Sequence, residues 1–328
     1  MAKNTQLHDN ATVKISYSFK KIMTGSDLSR RRLPFMSAVS DNPGPVLWLT
    51  ACGHGDEICG IVIIQEIFKK IQRKLLNGAV YAFPLMNPIG FETASRNITV
   101  SREDLNRSFP GAMTGTLGEI IANSIFSSIM ETSPTLVLDL HNDWIKSIPY
   151  TLIDSNPGGS HRTVYKKTLE YARQAGFVSI VDTEKMTGTL SYNLLMNDIP
   201  VLTFELGESY VINEQNVEYG LKAVWNILAF LKMTKPIKEH FSYPTLPAYR
   251  AGKLLRYSDK PYSTKSGIIR FMAKPGDVVT KGKPIARIVN AFGKHQETIR
   301  ALEDSIVLGH SDSSVVFPGM HIMAFGIP

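Results

Sequence analysis

Two side chains that could bind a metal ion lie in the stretch from Pro43 to Gly60, PGPVLWLTACGHGDEICG. His54 and Glu57 are three positions apart and directly follow an apolar run. Two histidines and one glutamate form one of the standard catalytic zinc sites, in which a fourth position is left for water. The pair alone is a weak signal, because most H-x-x-E pairs are surface residues. A surface turn therefore remains the alternative at this point.

The spacing of apolar residues predicts which elements hold this pair. The predicted strands cover residues 34–39 and 46–50 and the apolar runs in AVYAFPLMNP, PTLVLDLHND and IPVLTFELGES. The predicted helices cover residues 57–76, 117–130, 162–175 and 216–231. Strands that are continuous apolar runs and alternate with helices predict an α/β fold with a mixed, mostly parallel sheet and helices on both faces. Gly53 and Gly55 are expected to give the turn around His54 backbone angles that other residues resist.

Three of the predicted strands end in residues that a zinc hydrolase needs. Ligands of open α/β sheets bind beyond the carboxyl ends of the strands. His54 and Glu57 follow one strand, His141 follows a second, and Glu205 follows a third. Asp139 precedes His141 by two positions, which is also the pattern of an ordinary buried pair. The coincidence of the three strand ends favours a shared metal site.

A polar, irregular segment at residues 89–111 carries three arginines: Arg96, Arg102 and Arg107. Asn106 directly precedes Arg107 in the run REDLNRSFPG. An arginine makes bidentate, charge-assisted hydrogen bonds to a carboxylate, and a side-chain amide can supplement them. The alternative is an exposed loop with solvated arginines.

The composition is that of an ordinary soluble globular protein, with 43% hydrophobic and 20% charged residues among 328. Two cysteines, Cys52 and Cys59, cannot form a disulfide framework, so we expect a reducing cytoplasm. Cys52 is expected to fill core space.

The N-terminus lacks the apolar core of a signal peptide, and no apolar run approaches the roughly 18 residues of a membrane helix. The net charge of +7 is dispersed apart from SRRRL at residues 29–33. We therefore expect neither nucleic-acid nor membrane binding.

The pattern changes near residue 240, where a Pro-rich stretch is followed by short strands and frequent glycine-containing turns. We predict a catalytic domain at residues 1–240 and a small all-β domain at residues 241–328. The segment KPGDVVTKGKPIARI resembles a biotinyl/lipoyl-type domain, but ALEDSIVLG has no lysine to carry a prosthetic group. The tail is therefore interpreted as a structural or lid-like domain.

Several stretches together resemble the succinylglutamate desuccinylase/aspartoacylase family, a branch of the zinc carboxypeptidase superfamily. They are PGPVLWLTACGHGDEICG, FPLMNPIGFETASR, EDLNRSFPG, LVLDLHND and VLTFELGE. The resemblance implies one zinc ion per chain, held by His54, Glu57 and His141. It implies that Glu205 is the general base and that Asp139 orients the histidine beside it.

The same resemblance assigns roles to the polar segment. Asn106 and Arg107 would grip a substrate carboxylate. An upstream arginine would stabilise the tetrahedral oxyanion; this role is assigned to Arg96, with Arg102 as the competitor.

The activity implied is zinc-dependent hydrolysis of the amide bond in a small, carboxylate-bearing N-acyl amino acid or related N-acyl amine. The alternatives are a zinc carboxypeptidase that cleaves short peptides and a non-catalytic binding protein that has kept the fold. A homo-oligomer is possible, and neither the acyl group nor the amine can be read from the residues.

Overall fold

A computed structural model describes residues 12–25, 28, 30–249 and 252–328. The strands of the first part are β1 (Val13–Thr24), β2 (Arg30–Ser40), β3 (Val46–Ala51), β4 (Ala79–Phe83), β5 (Leu136–His141), β6 (Lys146–Ser147), β7 (Tyr150–Ile153), β8 (Val178–Val181) and β9 (Val201–Glu205). Those of the C-terminal part are β10 (Leu254–Ser258), β11 (Gly267–Phe271), β12 (Val278–Val279), β13 (Pro284–Val289), β14 (His295–Arg300), β15 (Ser305–His310), β16 (Val315–Val316) and β17 (Met323–Ile327). The α-helices are α1 (Cys59–Ile71), α2 (Pro88–Glu92), α3 (Leu117–Met130), α4 (Arg162–Ala175), α5 (Leu190–Leu195) and α6 (Glu214–Phe230).

One large mixed sheet forms the centre of the molecule. Its strand order is β1-β2-β4-β3-β5-β9-β7-β8-β10-β17-β15-β12, and β6 pairs with β15. The strands β4, β3, β5 and β9 are parallel to one another, and antiparallel pairs flank this block on both sides. The parallel strands are buried on both faces, as their continuous apolar sequences predict. The predicted mixed α/β fold is confirmed.

Helices cover both faces of this sheet. Helix α6 packs against both α1 and α4. Gly60 of α1 lies over Ala51, whereas Trp48 on the same strand donates through its ring nitrogen to Thr132, which follows α3, at 2.7 Å. Residues 48 and 51 of a strand point to opposite faces, so α1 and α3 cover opposite sides.

The C-terminal region contributes to two sheets. Strands β14, β13, β11 and β16 form a separate antiparallel sheet, which confirms the predicted small all-β structure. Its apolar core also includes Val279 of β12, Val307 of β15 and Phe325 of β17. Strands β10, β17, β15 and β12 instead extend the large sheet, because β10 pairs in parallel with β8. The division at residue 240 stays a proposal.

The predicted start and the predicted end of the first long helix, residues 57 and 76, were both wrong. The first long helix begins at Cys59, so that Glu57 lies in the turn before it, with Ile58 as the capping residue. It ends at Ile71 and is followed by a turn at residues 72–74 instead of continuing to residue 76. In the described ranges, no helix is both long and apolar enough to cross a membrane.

Candidate metal centre and active site

The carboxyl ends of three neighbouring parallel strands bring the predicted residues together. His141 is the last residue of β5 and lies opposite Glu205, the last residue of β9. Strand β3 lies on the other side of β5, and its chain continues into the turn with His54 and Glu57. All four side chains line one cleft.

Glu57 connects the two histidines. Its Oε1 lies 2.6 Å from His54 Nδ1, and its Oε2 lies 2.7 Å from His141 Nδ1. The backbone N–H of Asn142 also donates to Oε2, at 3.1 Å. One ligand atom from each of His54, Glu57 and His141 lies within 4.8 Å of the other two. All three residues are buried.

A carboxylate stands behind each histidine. His54 Nε2 lies 3.1 Å from Asp104 Oδ1, and His141 Nε2 lies 2.9 Å from Asp139 Oδ2. Asp139 is itself held by the Thr50 hydroxyl, which donates to its Oδ1 at 2.7 Å. Such partners fix the tautomer of a metal-binding histidine and leave the other nitrogen directed at the metal. Two imidazole nitrogens and a carboxylate oxygen directed at one point fit zinc.

Asp104 was not predicted as a site residue. It lies within the run EDLNR, where nothing in the sequence distinguishes it from a solvated loop carboxylate. Its pKa is lowered: burial acts to raise it, but His54 and then Arg96 outweigh that effect. Asp104 therefore stays ionised beside His54.

The charges of the centre support one another. Burial alone would lower the pKa values of His54 and His141, but the surrounding carboxylates raise both. Burial would likewise raise the pKa of Glu57, but the two histidines lower it. The raised pKa values mean that both imidazoles are more basic than a free histidine side chain. A bound metal ion would displace the proton from the nitrogen that it binds.

Glu205 lies in a different electrostatic environment. Burial, and next the charge of Asp143, raise its pKa well above the usual range of a glutamate. The Tyr150 hydroxyl donates to Asp143 Oδ2 at 2.9 Å. A carboxyl with a raised pKa can both accept and return a proton near neutral pH.

The arginines of the polar segment lie in different places. Arg96 lines the cleft, with its guanidinium 3.1 Å from Asp104 and 3.8 Å from Glu57. Arg107 also lines the cleft and donates to the backbone oxygen of Asn106 at 2.8 Å. Arg102 is exposed, has a positive φ of 62° and is not among the cleft-lining residues.

Asn106 bridges two parts of the cleft. Its Oδ1 accepts a hydrogen bond from the backbone N–H of Leu190, at the start of α5, at 2.9 Å. Asn106 is also one of the residues that line the cleft, as is Arg107.

The glycines around His54 act by their small size, which differs from the expectation. Neither Gly53 nor Gly55 has a positive φ; that conformation occurs at Cys52, with φ 55°. A Cβ at Gly55 would lie 2.0 Å from the backbone carbon of Gly90. The His54 turn therefore packs directly against the segment that leads to Arg96. Cys52 is buried, and burial raises the pKa of its thiol, so it is core filling as expected.

The cleft above the centre has a volume of about 520 Å³. This size is that of small-molecule sites. It is also lined by residues that the sequence did not single out: Asn142, Asp143, Tyr150, Leu152, Asp154, Asp182, Thr183, Glu184, Met186, Thr189, Ser191, Thr203, Tyr257, Asp259 and His321. Three of them, Tyr257, Asp259 and His321, come from the C-terminal region.

Residues 43–231 match the family model of the succinylglutamate desuccinylase/aspartoacylase catalytic domain. The chain belongs to the succinylglutamate desuccinylase/aspartoacylase family. The matched range holds all of the residues that the sequence pointed to, from His54 to Glu205. The family consists of N-acyl amino acid deacylases, so the chain is grouped with hydrolases that act on amide bonds.

One relative within this family is the N-alpha-acetyl-L-2,4-diaminobutyric acid deacetylase of Halomonas elongata. It is 26% identical over 267 residues, which cover 77% of this chain and 73% of the relative. The product-bound ectoine utilization protein EutE of Ruegeria pomeroyi shares the fold, with a TM-score of 0.80, 21% identity and coverage of 99% of this chain and 98% of the other. An aspartoacylase family protein from Mesorhizobium loti gives a TM-score of 0.80 at 20% identity, with 99% and 97% coverage.

Proposed function

We propose that this protein is a zinc-dependent deacylase that hydrolyses the amide bond of a small, carboxylate-bearing N-acyl amino acid. The observation that carries the proposal is Glu57 between the Nδ1 atoms of two histidines, each backed by a carboxylate. His54, Glu57 and His141 would hold one zinc ion. When bound, zinc would lower the pKa of a water towards about 7 and polarise the scissile carbonyl.

Glu205 acts as the general base and then as the general acid. It lies opposite His141 in the sheet, and its raised pKa suits a group that takes a proton from water and returns it to the leaving amine. Tyr150 and Asp143 hold the adjacent polar wall in place by their hydrogen bond.

Arg96 is assigned to the oxyanion. Its guanidinium is fixed by Asp104 within 3.8 Å of Glu57, so a positive charge is aimed at the centre before the reaction begins. Such a preorganised charge stabilises the transition state more than the ground state. Arg102 is not given this role, because it lies outside the cleft lining.

Arg107 and Asn106 bind the substrate carboxylate. Within the described residues Arg107 forms no salt bridge, and its guanidinium donates a hydrogen bond to the backbone oxygen of Asn106. A guanidinium that lines a cleft and has no carboxylate of its own favours a carboxylate ligand.

The test combines metal analysis with a substrate panel. The purified chain should bind one zinc ion, lose activity with a chelator and regain it with zinc. The panel should hold acetyl and succinyl derivatives of amino acids with neutral, anionic and cationic side chains. The cationic members are included because the Halomonas relative is named for a substrate with a second amine.

Two controls separate this function from its alternatives. Glu205→Gln should bind zinc like the parent chain and lose hydrolysis, which distinguishes a catalytic role from a structural one. Faster cleavage of dipeptides than of N-acetyl amino acids would favour the carboxypeptidase alternative. A folded chain that neither binds zinc nor hydrolyses any member would refute the proposal.

A further inference from the structure

The four side chains of the proposed centre are held in different ways. Those of His54, Glu57 and His141 are each fixed by hydrogen bonds to neighbouring side chains. Among the described residues, the Glu205 carboxylate has neither a hydrogen bond nor a salt bridge. Its position in the cleft therefore depends on the backbone of β9 and on the turn that follows this strand.

The turn after β9 bends sharply. Gly207, two residues after Glu205, has a positive φ of 81°. A Cβ at Gly207 would lie 2.6 Å from Asn216 Nδ2 and 3.0 Å from the Ser147 oxygen. A side chain at this position would therefore be both strained and crowded. The chain leaves the sheet directly after Glu205, so regular strand pairing does not hold the turn.

Asn142, the residue after His141, fastens this turn from the neighbouring strand end. Its Nδ2 donates to the backbone oxygens of Gly207 and Glu208, at 3.1 and 2.8 Å. These two acceptors fix the orientation of the amide, because a flipped amide would place its oxygen against two carbonyl oxygens. Asn142 is only 4% exposed, and its Oδ1 has no hydrogen-bond partner among the described residues. A buried acceptor without a partner is costly, so stability alone does not explain an asparagine here.

Backbone hydrogen bonds connect the same two segments. The N–H of Leu206 donates to the His141 oxygen at 2.9 Å, and the N–H of Asp143 donates to the Gly207 oxygen at 2.9 Å. The Gly207 oxygen thus accepts from the Asp143 backbone and from the Asn142 side chain. The contact between the chains of β5 and β9 thereby continues beyond the last residues of both strands.

Asn142 also contacts the proposed metal ligand Glu57. Its backbone N–H donates to Glu57 Oε2 at 3.1 Å. One residue therefore contacts Glu57 through its main chain and the turn after Glu205 through its side chain. A side-chain substitution keeps the backbone N–H, so the contact with the turn can be removed without removing the donor to Glu57.

We infer that Asn142 is a positioning residue, whose side chain sets the place of Glu205 relative to the proposed metal ligands by holding residues 206–208. This inference rests on the proposed role of Glu205 as the general base. A general base has to lie within hydrogen-bond reach of the proton that it takes. Because no side chain holds the Glu205 carboxylate, any displacement of the strand end is passed on to it. A misplacement of about 1 Å can cost about 100-fold in rate.

The test uses Asn142→Leu, which keeps the approximate size of the side chain and removes its donors. Asn226→Leu is the matched control. Asn226 is 1% exposed, and its Nδ2 donates to the backbone oxygens of Ala175 and Phe241, at 3.2 and 2.9 Å. It lies in α6 and is not among the cleft-lining residues. Both variants therefore lose a buried amide that joins two segments, but only one of these amides lies beside the centre.

Hydrogen exchange measures the position of the turn without any substrate. In the zinc-loaded full-length protein, Asn142→Leu should speed the exchange of the Asp143 and Leu206 amides by roughly tenfold, the worth of one hydrogen bond. Asn226→Leu should leave these two amides unchanged. Asn142→Ala, which places no apolar branch beside the carbonyl oxygens, repeats the comparison if Asn142→Leu does not fold. Zinc content and thermal unfolding would show which variants are folded.

Kinetics test whether the position matters for the reaction. With the N-acetyl amino acid that the parent chain hydrolyses fastest, Asn142→Leu should lower kcat by roughly 10- to 100-fold, keep KM within about twofold and keep the zinc content of the parent. Asn226→Leu should keep the kcat of the parent. In the Glu205→Gln background, Asn142→Leu should cause little further loss of rate, because residues that act through one another have non-additive effects.

The outcomes separate this inference from the proposed function. Unchanged exchange of the Asp143 and Leu206 amides would overturn the inference, and so would a kcat equal to that of Asn226→Leu. An equally large loss of rate with and without Glu205 would overturn it as well, because Asn142 would then not act through Glu205. Absence of hydrolysis by the parent chain would contradict the deacylase function itself, whereas the exchange rates would still decide whether Asn142 holds the turn.

Discussion

Glu57 holds the site together at the scale of single residues. Both of its oxygens are engaged by histidine nitrogens, and each histidine is engaged by a further carboxylate. The result is a buried chain of alternating charges in which each member orients the next. Removing one member leaves its neighbours buried without a partner, and such groups are costly.

His54→Ala should abolish stoichiometric zinc binding and leave the secondary structure largely intact, because His54 lies in a turn outside the strands and helices. Metal analysis after dialysis, together with circular dichroism, measures both. His161→Ala, at a histidine paired with Asp198 on the surface, should bind zinc normally. Full zinc occupancy in His54→Ala would show that the ligands are wrongly assigned.

Asp104→Asn should weaken zinc binding about 10- to 100-fold, the usual effect of losing the carboxylate behind a metal-binding histidine. The cause is that His54 Nε2 loses its charged acceptor. A competition titration with a chromogenic chelator measures the affinity. Glu103→Gln is the matched control, because that carboxylate contacts Gly118 and no histidine. Equal zinc affinity in both variants would mean that Asp104 does not act through His54.

Packing between a turn and a neighbouring segment decides the geometry at the scale of elements. Gly55 leaves no room for a side chain against Gly90, and its N–H donates to the Ser95 oxygen at 3.0 Å. The turn with His54 and the segment with Arg96 are thereby fixed to each other. The proposed metal ligands and the arginine proposed for the oxyanion thus share one support.

Gly55→Ala should destabilise the chain by about 1–3 kcal/mol, as overpacking in tight sites does, and should also lower kcat by displacing Arg96. Gly53→Ala should cost less, because its Cβ would first meet the flexible end of Met86 at 3.3 Å. Denaturant unfolding would rank the free energies of unfolding of the two variants, and steady-state kinetics would rank their kcat values. If Gly55→Ala changed neither the free energy of unfolding nor kcat, the turn with His54 and the segment with Arg96 would not depend on each other.

The elements show which parts a single sequence predicts. The parallel strands β3, β5 and β9 are long apolar runs, so their ends and the residues His54, His141 and Glu205 could be predicted. Strands β7 and β8 have four residues each, and only their long-range pairing with β9 and β10 makes them strands. Asp154 and Asp182 follow these short strands without any motif, so nothing local could mark them.

A buried carboxylate that lines the cleft, Asp154, affects the stability of the whole molecule. The folded state raises the pKa of Asp154 to about 6, above its ordinary value, and Ser191, Asp182 and Asp139 are the groups that act on it besides burial. The folded chain therefore holds the proton more tightly than the unfolded chain does. The free energy of unfolding falls as the pH rises from the ordinary value to the raised one, and then levels off.

Asp154→Asn should consequently raise the Tm at about pH 7.5, and the gain should shrink towards about pH 5. Thermal unfolding of both chains across this pH range is the measurement. A gain that does not change with pH would show that the carboxylate is not strained by its surroundings.

The antiparallel contact between β9 and β7 divides the cleft into two parts with separate supports. The proposed metal ligands depend on β3, β5 and the turn that follows β3, whereas the cleft residues Asp154, Asp182 and Asp259 depend on β7, β8 and β10. Substitutions that are far apart and share no partners have nearly additive effects. Substitutions at Asp154, Asp182 or Asp259 are therefore expected to change the shape and charge of the cleft with little effect on the proposed metal ligands. The same division makes these three strand ends the place to reshape the cleft by directed evolution while the metal centre is left intact.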